Sequence, residues 1–210
     1  MKNKEFASIG KQLVANLDGF VSCRDLLIMV PVRHVLRAVC FNGSIDPRSF
    51  YLEAFLQPLY VPTDVISFTL GTRLRKKRGE SWDGDTPELI ADMLSAFRSQ
   101  ALPFLGSKED DDGTIGQMIL KDASNSPNQH ACEAAAYTLV RMRRISEAVK
   151  TIDTLLGMLR DTVPWHQEMR KRVTSVKADL AQGLDVAMER LNGWEAETIR
   201  NLKLEPFIEL

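Results

Sequence analysis

Hydrophobic and polar positions along this chain follow two different periods, and the change lies near residue 87. Before it, short apolar runs are separated by Pro and Gly, which is typical of strands joined by turns. After it, apolar residues recur every three or four positions, which predicts helices. The pattern therefore predicts an α+β fold, with a small antiparallel sheet and flanking helices followed by a C-terminal helical bundle.

The first part of the chain is predicted to hold one helix and several strands. Phe6, Ile9, Leu13 and Leu17 fall on one helical stripe within residues 3–17. The turns that follow are short, which favours antiparallel, meander-like pairing. The predicted strands are residues 26–30, 32–41, 50–60 and 65–70. Residues 73–86 are too polar and Gly-rich for a core and are predicted as a loop or long hairpin tip.

The second part is predicted to be helical. Thr86-Pro87-Glu88 has the residue types that open a helix, with a capping hydroxyl, a proline and an acid at the positive end of the dipole. The acidic run Glu109–Asp112 is the expected internal boundary, so that residues 1–107 and 113–210 form two parts, packed as one domain or two. Helices are expected at about 115–120, 127–142, 146–160, 164–192 and 195–203. Gly193 is expected to end the helix at 164–192.

Composition and charge narrow the class of protein. The net charge of −1 gives no overall attraction to nucleic acid or to an acidic membrane. Three widely spaced cysteines, Cys23, Cys40 and Cys132, are interpreted as reduced thiols of a cytoplasmic protein. No apolar stretch is long enough to span a membrane, so no membrane partner is expected.

No arrangement of residues indicates a particular catalytic chemistry. The three histidines are His34, His130 and His166, and none has a nucleophile at a productive spacing, since His34 and Cys40 on one strand would lie about 20 Å apart. The consecutive acids of Glu109–Asp112 lack the alternate spacing of a calcium loop. We therefore expect no cofactor and no metal, and a non-enzymatic protein. The alternative is a small-ligand site or hydrolase that uses His34 with Asp64 or Glu53.

Small and large residues in the second part follow the spacing of a helix pair. Ala135, Ala136 and Ala148 would let two helices approach closely, and Leu139 and Ile152 would fill the space between them. Over about residues 129–160 this resembles a single tetratricopeptide-type repeat, with no second copy. The resemblance implies protein–protein contact. An ordinary antiparallel helix pair is the alternative.

The first 105 residues are similar to uncharacterised small bacterial α+β proteins. The similarity is carried by Phe50–Pro62 and by Ala101–Leu105, which is placed after the helix that opens at Thr86-Pro87-Glu88. It implies a fold and no activity.

Residues 73–78 carry five positive charges and have two interpretations. Phosphate contacts through Arg75, Lys76 and Lys77 would make the chain a nucleic-acid-associated regulator. A solvated loop is the favoured alternative, because nearby acids oppose the field and no base-stacking strand motif accompanies it. Trp82 either folds back onto the sheet or anchors a partner.

The second face of the predicted sheet is half apolar and must be covered. We assign Val35, Val39, Phe41, Tyr51, Phe55 and Leu59 to it, with Arg33, Arg37 and Glu53 interspersed. Helices cover it, or it binds a partner or a second copy of the chain, as a homodimer. The expected contact set is then Arg33, Arg37, Tyr51, Glu53 and Trp82, with Arg75, Lys76 and Lys77 of the basic loop. The leading hypothesis is a protein-interaction module with a regulatory or immunity-like role.

Overall fold

The structure is a computed structural model that describes residues 3–76, 79–125 and 127–208. The chain forms two compact units. The sheet unit contains Met1–Gln57, Gly71–Asp110 and Glu205–Leu210, and the helical unit contains Pro58–Leu70 and Asp111–Leu204. Lys77, one of the predicted contact residues, lies outside the described residues.

An antiparallel sheet forms the centre of the sheet unit. Its strands are β1 Phe20–Cys23, β2 Leu26–Met29, β3 Val35–Gly43, β4 Ser49–Pro58, β5 Gly71–Arg73 and β6 Trp82–Asp83. The spatial order is β1-β2-β3-β4-β5, and β6 pairs with β4 beyond the end of β5. This meander confirms the predicted α+β class and antiparallel pairing.

Helices account for most of the remaining chain. They are α1 Asn3–Val14, α2 Leu89–Ala96, a π-helical turn Phe97–Ala101, α3 Leu102–Leu105, α4 Asp112–Asn125, α5 Gln129–Arg141, α6 Ile145–Met158, α7 Pro164–Gln182 and α8 Leu184–Leu202, with a final 3-10 turn Glu205–Phe207. No helix among the described residues combines the length and the apolar character that crossing a membrane requires.

The helix α1 covers one face of the sheet through its apolar stripe. The Phe6 ring stacks on Phe41 of β3 at 5.4 Å and meets Phe50 of β4 edge-on at 5.6 Å. On the same side, Phe97 contacts Phe20 of β1 at 5.9 Å. Aromatic pairs of this geometry add to the free energy gained from burial.

The assignment of side chains to the second face was wrong in part. Phe41 packs on α1, and the Arg37 guanidinium on the same side donates to the Leu105 and Ser107 carbonyls at 3.3 and 2.6 Å. Asn42 instead shares the opposite face with Glu53, since its amide donates to that carboxylate at 3.4 Å. The register of β3 against β4 decides which side chains share a face, and single-strand alternation does not contain it.

The apolar members of the assigned second face are buried: Val35, Val39, Phe41, Phe55 and Leu59. They therefore belong to a core, and the alternative in which they form an exposed partner surface is wrong.

The strand predicted at residues 65–70 is absent, because local side-chain bonds hold this segment in turns. The Thr63 hydroxyl bonds to both the amide and the carbonyl of Val65, each at 3.2 Å. The Thr69 amide likewise donates to the Ser67 hydroxyl at 3.3 Å, and that hydroxyl donates to the Thr69 hydroxyl at 2.9 Å. Such bonds satisfy backbone groups that a strand would pair across a sheet.

Three short strands were not predicted. Phe20–Cys23 forms β1, and Arg24 at φ 56° makes the tight connection to β2. Two more strands pair with β4: Gly71–Arg73 at the start of the segment predicted as a loop, and Trp82–Asp83 near its end. Runs of two to four residues are too short for a period of two to be detected.

The helix α5 is the centre of the helical unit, with contacts to α4, α6 and α8. It is buried nearly all round, which is why its sequence is rich in alanine. Gly116 lets α4 approach closely, since a Cβ there would meet the Met142 sulfur at 2.6 Å. The predicted helix pair is present as α5 and α6.

The long helix predicted at 164–192 is two helices. The break lies at Gly183, whose φ of 146° is a conformation that other residues rarely adopt, and Gly193 lies inside α8. A glycine inside a helix costs about 1 kcal/mol, which the buried residues Leu191 and Thr198 of α8 offset.

The two units differ in extent from the predicted parts 1–107 and 113–210. Residues 58–70 pack with the helices: the Tyr60 hydroxyl bonds to that of Thr138 at 2.7 Å, and Thr198 donates to the Val61 carbonyl at 3.5 Å. The C-terminal turn returns to the sheet unit, where Val32 donates to the Phe207 carbonyl at 2.8 Å. In both cases, the contacts join residues that are distant in sequence.

Candidate functional site

The exposed edge of the sheet carries a cluster of aromatic and charged side chains. Strands β4 and β5 pair so that Glu53 lies opposite Arg73. The Arg73 guanidinium donates from Nε and Nη2 to Glu53 Oε1 at 3.1 and 2.8 Å. Its central carbon lies 4.3 Å from the centre of the Tyr51 ring, a cation–π contact. We call Tyr51, Glu53, Arg73, Arg75 and Glu80 the edge cluster.

Glu80 joins the two arginines of the edge cluster. Its carboxylate lies 3.6 Å from Arg73 Nη1 and 3.0 Å from Arg75 Nε. The hydrogen bond and charge of Glu53 raise the pKa of Arg73 above its ordinary value, so this guanidinium stays charged. Asn42 bonds to the second oxygen of Glu53 and fixes that carboxylate from the other side.

The edge cluster contributes little to the stability of the fold. Exposed ion pairs are worth about 0 to 1 kcal/mol each, because water screens them and ordering long side chains costs entropy. The five side chains are nevertheless held in one arrangement on the surface by ion pairs and a cation–π contact. These contacts hold Tyr51 and Arg73 in fixed positions relative to each other.

The predicted contact residues separate into three groups. Tyr51, Glu53 and Arg75 lie together in the edge cluster, with Lys76 next along the chain. Arg33 is exposed in the connection between β2 and β3.

Arg37 and Trp82 are buried and have structural roles. The Arg37 guanidinium binds carbonyls at the C-terminal end of α3, the pole that favours a positive charge. Trp82 is 1% exposed, so the alternative in which it folds back onto the sheet is the one that the structure contains. Neither side chain is available to a partner in this conformation.

Sequence reasoning left Arg73 and Glu80 out of the contact set. Arg73 stood in the basic run, but its pairing opposite Glu53 depends on β5, which was not predicted. Alternation along β4 places Tyr51 and Glu53 on one side of the strand, but it does not indicate which residue lies opposite them.

Of the histidines and thiols, His166 and Cys40 are buried, whereas His130 is exposed. His166 is buried and its Nδ1 accepts a hydrogen bond from the Arg160 amide at 2.8 Å. The His130 ring stacks on Trp165 at 4.9 Å. Within residues 3–76, 79–125 and 127–208, no three His, Cys, Asp or Glu side chains are placed to hold a metal ion.

The Cys40 thiol is expected to resist alkylation while the protein is folded. Burial raises its pKa to about 12, so at pH 8 only about one thiol in 10⁴ is ionised. Cys23 is a half-exposed free thiol, and iodoacetamide at pH 8 should modify it first. Peptide mass spectrometry after timed quenching gives both rates. Equal rates in folded protein would contradict the burial of Cys40, and guanidinium should make the two rates similar.

Comparison with models of protein families, with curated proteins and with solved structures finds no match to this chain. The resemblances to a tetratricopeptide-type pair and to small bacterial α+β proteins therefore stay predictions.

Proposed function

We propose that this chain is a non-enzymatic protein-interaction module of the cytoplasm that binds its partner through the edge cluster. The observation that carries the proposal is the Arg73 guanidinium held over the Tyr51 ring at 4.3 Å by two carboxylates. Tyr and Arg are the residue types that most often supply the binding energy of protein interfaces. Holding them in place beforehand lowers the entropy cost of association.

The charges of the edge cluster favour a protein over a nucleic acid. Arg73 and Arg75 are opposed by Glu53 and Glu80, all four within one network of ion pairs. A phosphate backbone would meet both carboxylates together with the arginines, so the gain from counterion release would be small. A protein surface of mixed charge can match both signs.

Site-specific crosslinking tests this function. A benzoylphenylalanine at position 51 should give a covalent adduct with one partner when irradiated in extract of the source cells. The same group at position 48, on the exposed hairpin after β3, is the control and should give none. An adduct of twice the chain mass would identify the partner as a second copy. The absence of any adduct specific to position 51 would overturn the proposal.

The variant Arg73→Ala should weaken partner binding by at least about 30-fold, the loss typical of a central interface residue. Arg48→Ala is the matched control, since Arg48 is exposed and paired only loosely with Asp46 at 3.7 Å. Its effect should stay below about twofold. Isothermal titration calorimetry with the partner that crosslinking identifies measures the affinity of both variants. Equal effects of the two variants would show that the edge cluster is not the contact.

A further inference from the structure

An open pocket of about 800 Å³ lies beside the edge cluster in the sheet unit. This volume is within the range of small-molecule sites. One wall is the start of the loop after β5, at Arg75 and Lys76, and the other is one face of α2 and its π-helical turn. The lining residues are Arg75, Lys76, Asp92, Ser95, Ala96, Ser99 and Gln100.

The π-helical turn and Gln100 hold the two walls together. Gln100 Oε1 accepts from the Arg75 amide at 2.8 Å, and its Nε2 donates to the Arg75 carbonyl at 2.7 Å. These two hydrogen bonds satisfy both backbone groups of Arg75, as a neighbouring strand would, and fix the backbone of Arg75 against the helix. π-Helical turns are frequent at functional sites, and here the turn contains both Ser99 and Gln100.

The loop wall is cationic. Arg75 uses Nε to bind Glu80. Lys76 is half-buried, and no carboxylate of the described chain lies within 4.0 Å of its ammonium group. An ammonium with no ion pair in the described chain can donate charge-assisted hydrogen bonds to an incoming anion.

The helix wall instead presents hydrogen-bond acceptors. Asp92 supplies a carboxylate, and the Ser99 hydroxyl donates to the Ser95 carbonyl at 2.8 Å, which leaves its oxygen lone pairs to accept. A carboxylate opposes a free anion but binds sugar hydroxyls well. The two walls together therefore match a ligand with an anionic end and a hydroxyl-rich end.

We propose that this pocket binds a phosphorylated polyhydroxy compound, such as a sugar phosphate. Its phosphate lies against Arg75 and Lys76, and its hydroxyls donate to Asp92 and Ser99. The pocket shares Arg75 with the edge cluster, but Lys76, Asp92 and Ser99 line the pocket alone, so variants at these three residues test it separately from the protein contact.

Ribose 5-phosphate, inorganic phosphate and ribose serve as probes in a ¹⁵N-edited NMR titration of the full chain. Ribose 5-phosphate should shift the amides of residues 75, 76 and 95–100 saturably, with a Kd of about 1 mM for a ligand of this size. Inorganic phosphate should bind more weakly at the same residues, and ribose alone should bind weakest.

Two variants separate the two ends of the ligand. Lys76→Gln should weaken the binding of ribose 5-phosphate and of inorganic phosphate alike, by about tenfold. Asp92→Asn should weaken the binding of ribose 5-phosphate, whereas the affinity for inorganic phosphate should stay unchanged or increase. Lys11→Gln, an exposed lysine of α1 in the same unit, is the matched control and should change neither.

Three results would overturn the proposal. They are the absence of saturable shifts at the pocket, shifts that persist unchanged in Lys76→Gln, and inorganic phosphate binding as tightly as ribose 5-phosphate. The spectra of the variants report folding directly, since amides away from the pocket should keep their positions.

Discussion

Replacing Arg172 by Met is expected to lower the free energy of unfolding by about 3 kcal/mol. In the helical unit, both oxygens of Glu133 accept from this guanidinium, from Nε and Nη2 at 3.0 Å each. Glu133 is 1% exposed, and its other hydrogen-bond donor among the described residues is the Tyr137 hydroxyl at 3.1 Å. Without Arg172, a carboxylate remains in a buried site with one donor. The expected loss is at the low end for a buried pair, because the Arg172 side chain is 29% exposed.

Urea unfolding followed by circular dichroism at 222 nm measures this loss. Lys171→Met is the matched control on the same helix, since Lys171 is exposed and paired with Glu168 one turn away. It should cost about 0.5 kcal/mol or less. The double variant Glu133→Met, Arg172→Met removes both charges and should recover much of the stability. A loss in Arg172→Met no larger than the control would show that the Glu133 charge is not dependent on this partner.

Replacing Trp82 by Ala is expected to cost about 4 kcal/mol, since it leaves a large cavity in a packed site. Trp82 is 1% exposed and pairs opposite Phe50 in the sheet. Its indole Nε1 has no hydrogen-bond partner in the part of the chain that the structure describes. Trp82→Phe loses volume but no hydrogen bond, so it should cost much less, about 1 to 2 kcal/mol.

Trp165→Ala is the control for Trp82→Ala, because the Trp165 side chain is 44% exposed. It should cost about 1 kcal/mol or less, mainly from the lost stacking on His130. Urea unfolding of the three variants decides between a core role and a partner role for Trp82. If Trp82→Ala is as stable as Trp165→Ala, the burial of Trp82 in this structure is contradicted.

The helices were predicted well because their signal is local. The stripe of Phe6, Ile9 and Leu13 marks α1, and the spacing in residues 127–160 marks α5 and α6. The helix break was predicted at Gly193 but lies at Gly183, because a glycine at either position can end a helix. Only the backbone conformation at Gly183 and the packing of α8 distinguish them.

The strands were predicted less completely, since a strand is stable only with its neighbours. Residues 65–70 have strand-like composition, yet they make turns within the helical unit. Thr63, just before them, accepts a hydrogen bond from Asn201 of α8 at 3.4 Å. Gly71–Arg73 has no strand signal, and it pairs with β4 because the chain returns to that edge.

The candidate site shows the same division. Tyr51 and Glu53 were identified from alternation along a single strand. The addition of Arg73, and the removal of Arg37 and Trp82, depended on which strand lies beside β4 and on what covers each face.

By itself, the sequence of this protein determined its fold class and most of its helices, since both follow from the period of apolar residues within a short window. The tertiary structure alone decided the register of β4 with β5 and the bonds between Gln100 and Arg75. Those contacts join residues about twenty or more positions apart, and their free energy comes from burial and hydrogen bonding between segments that no local pattern relates.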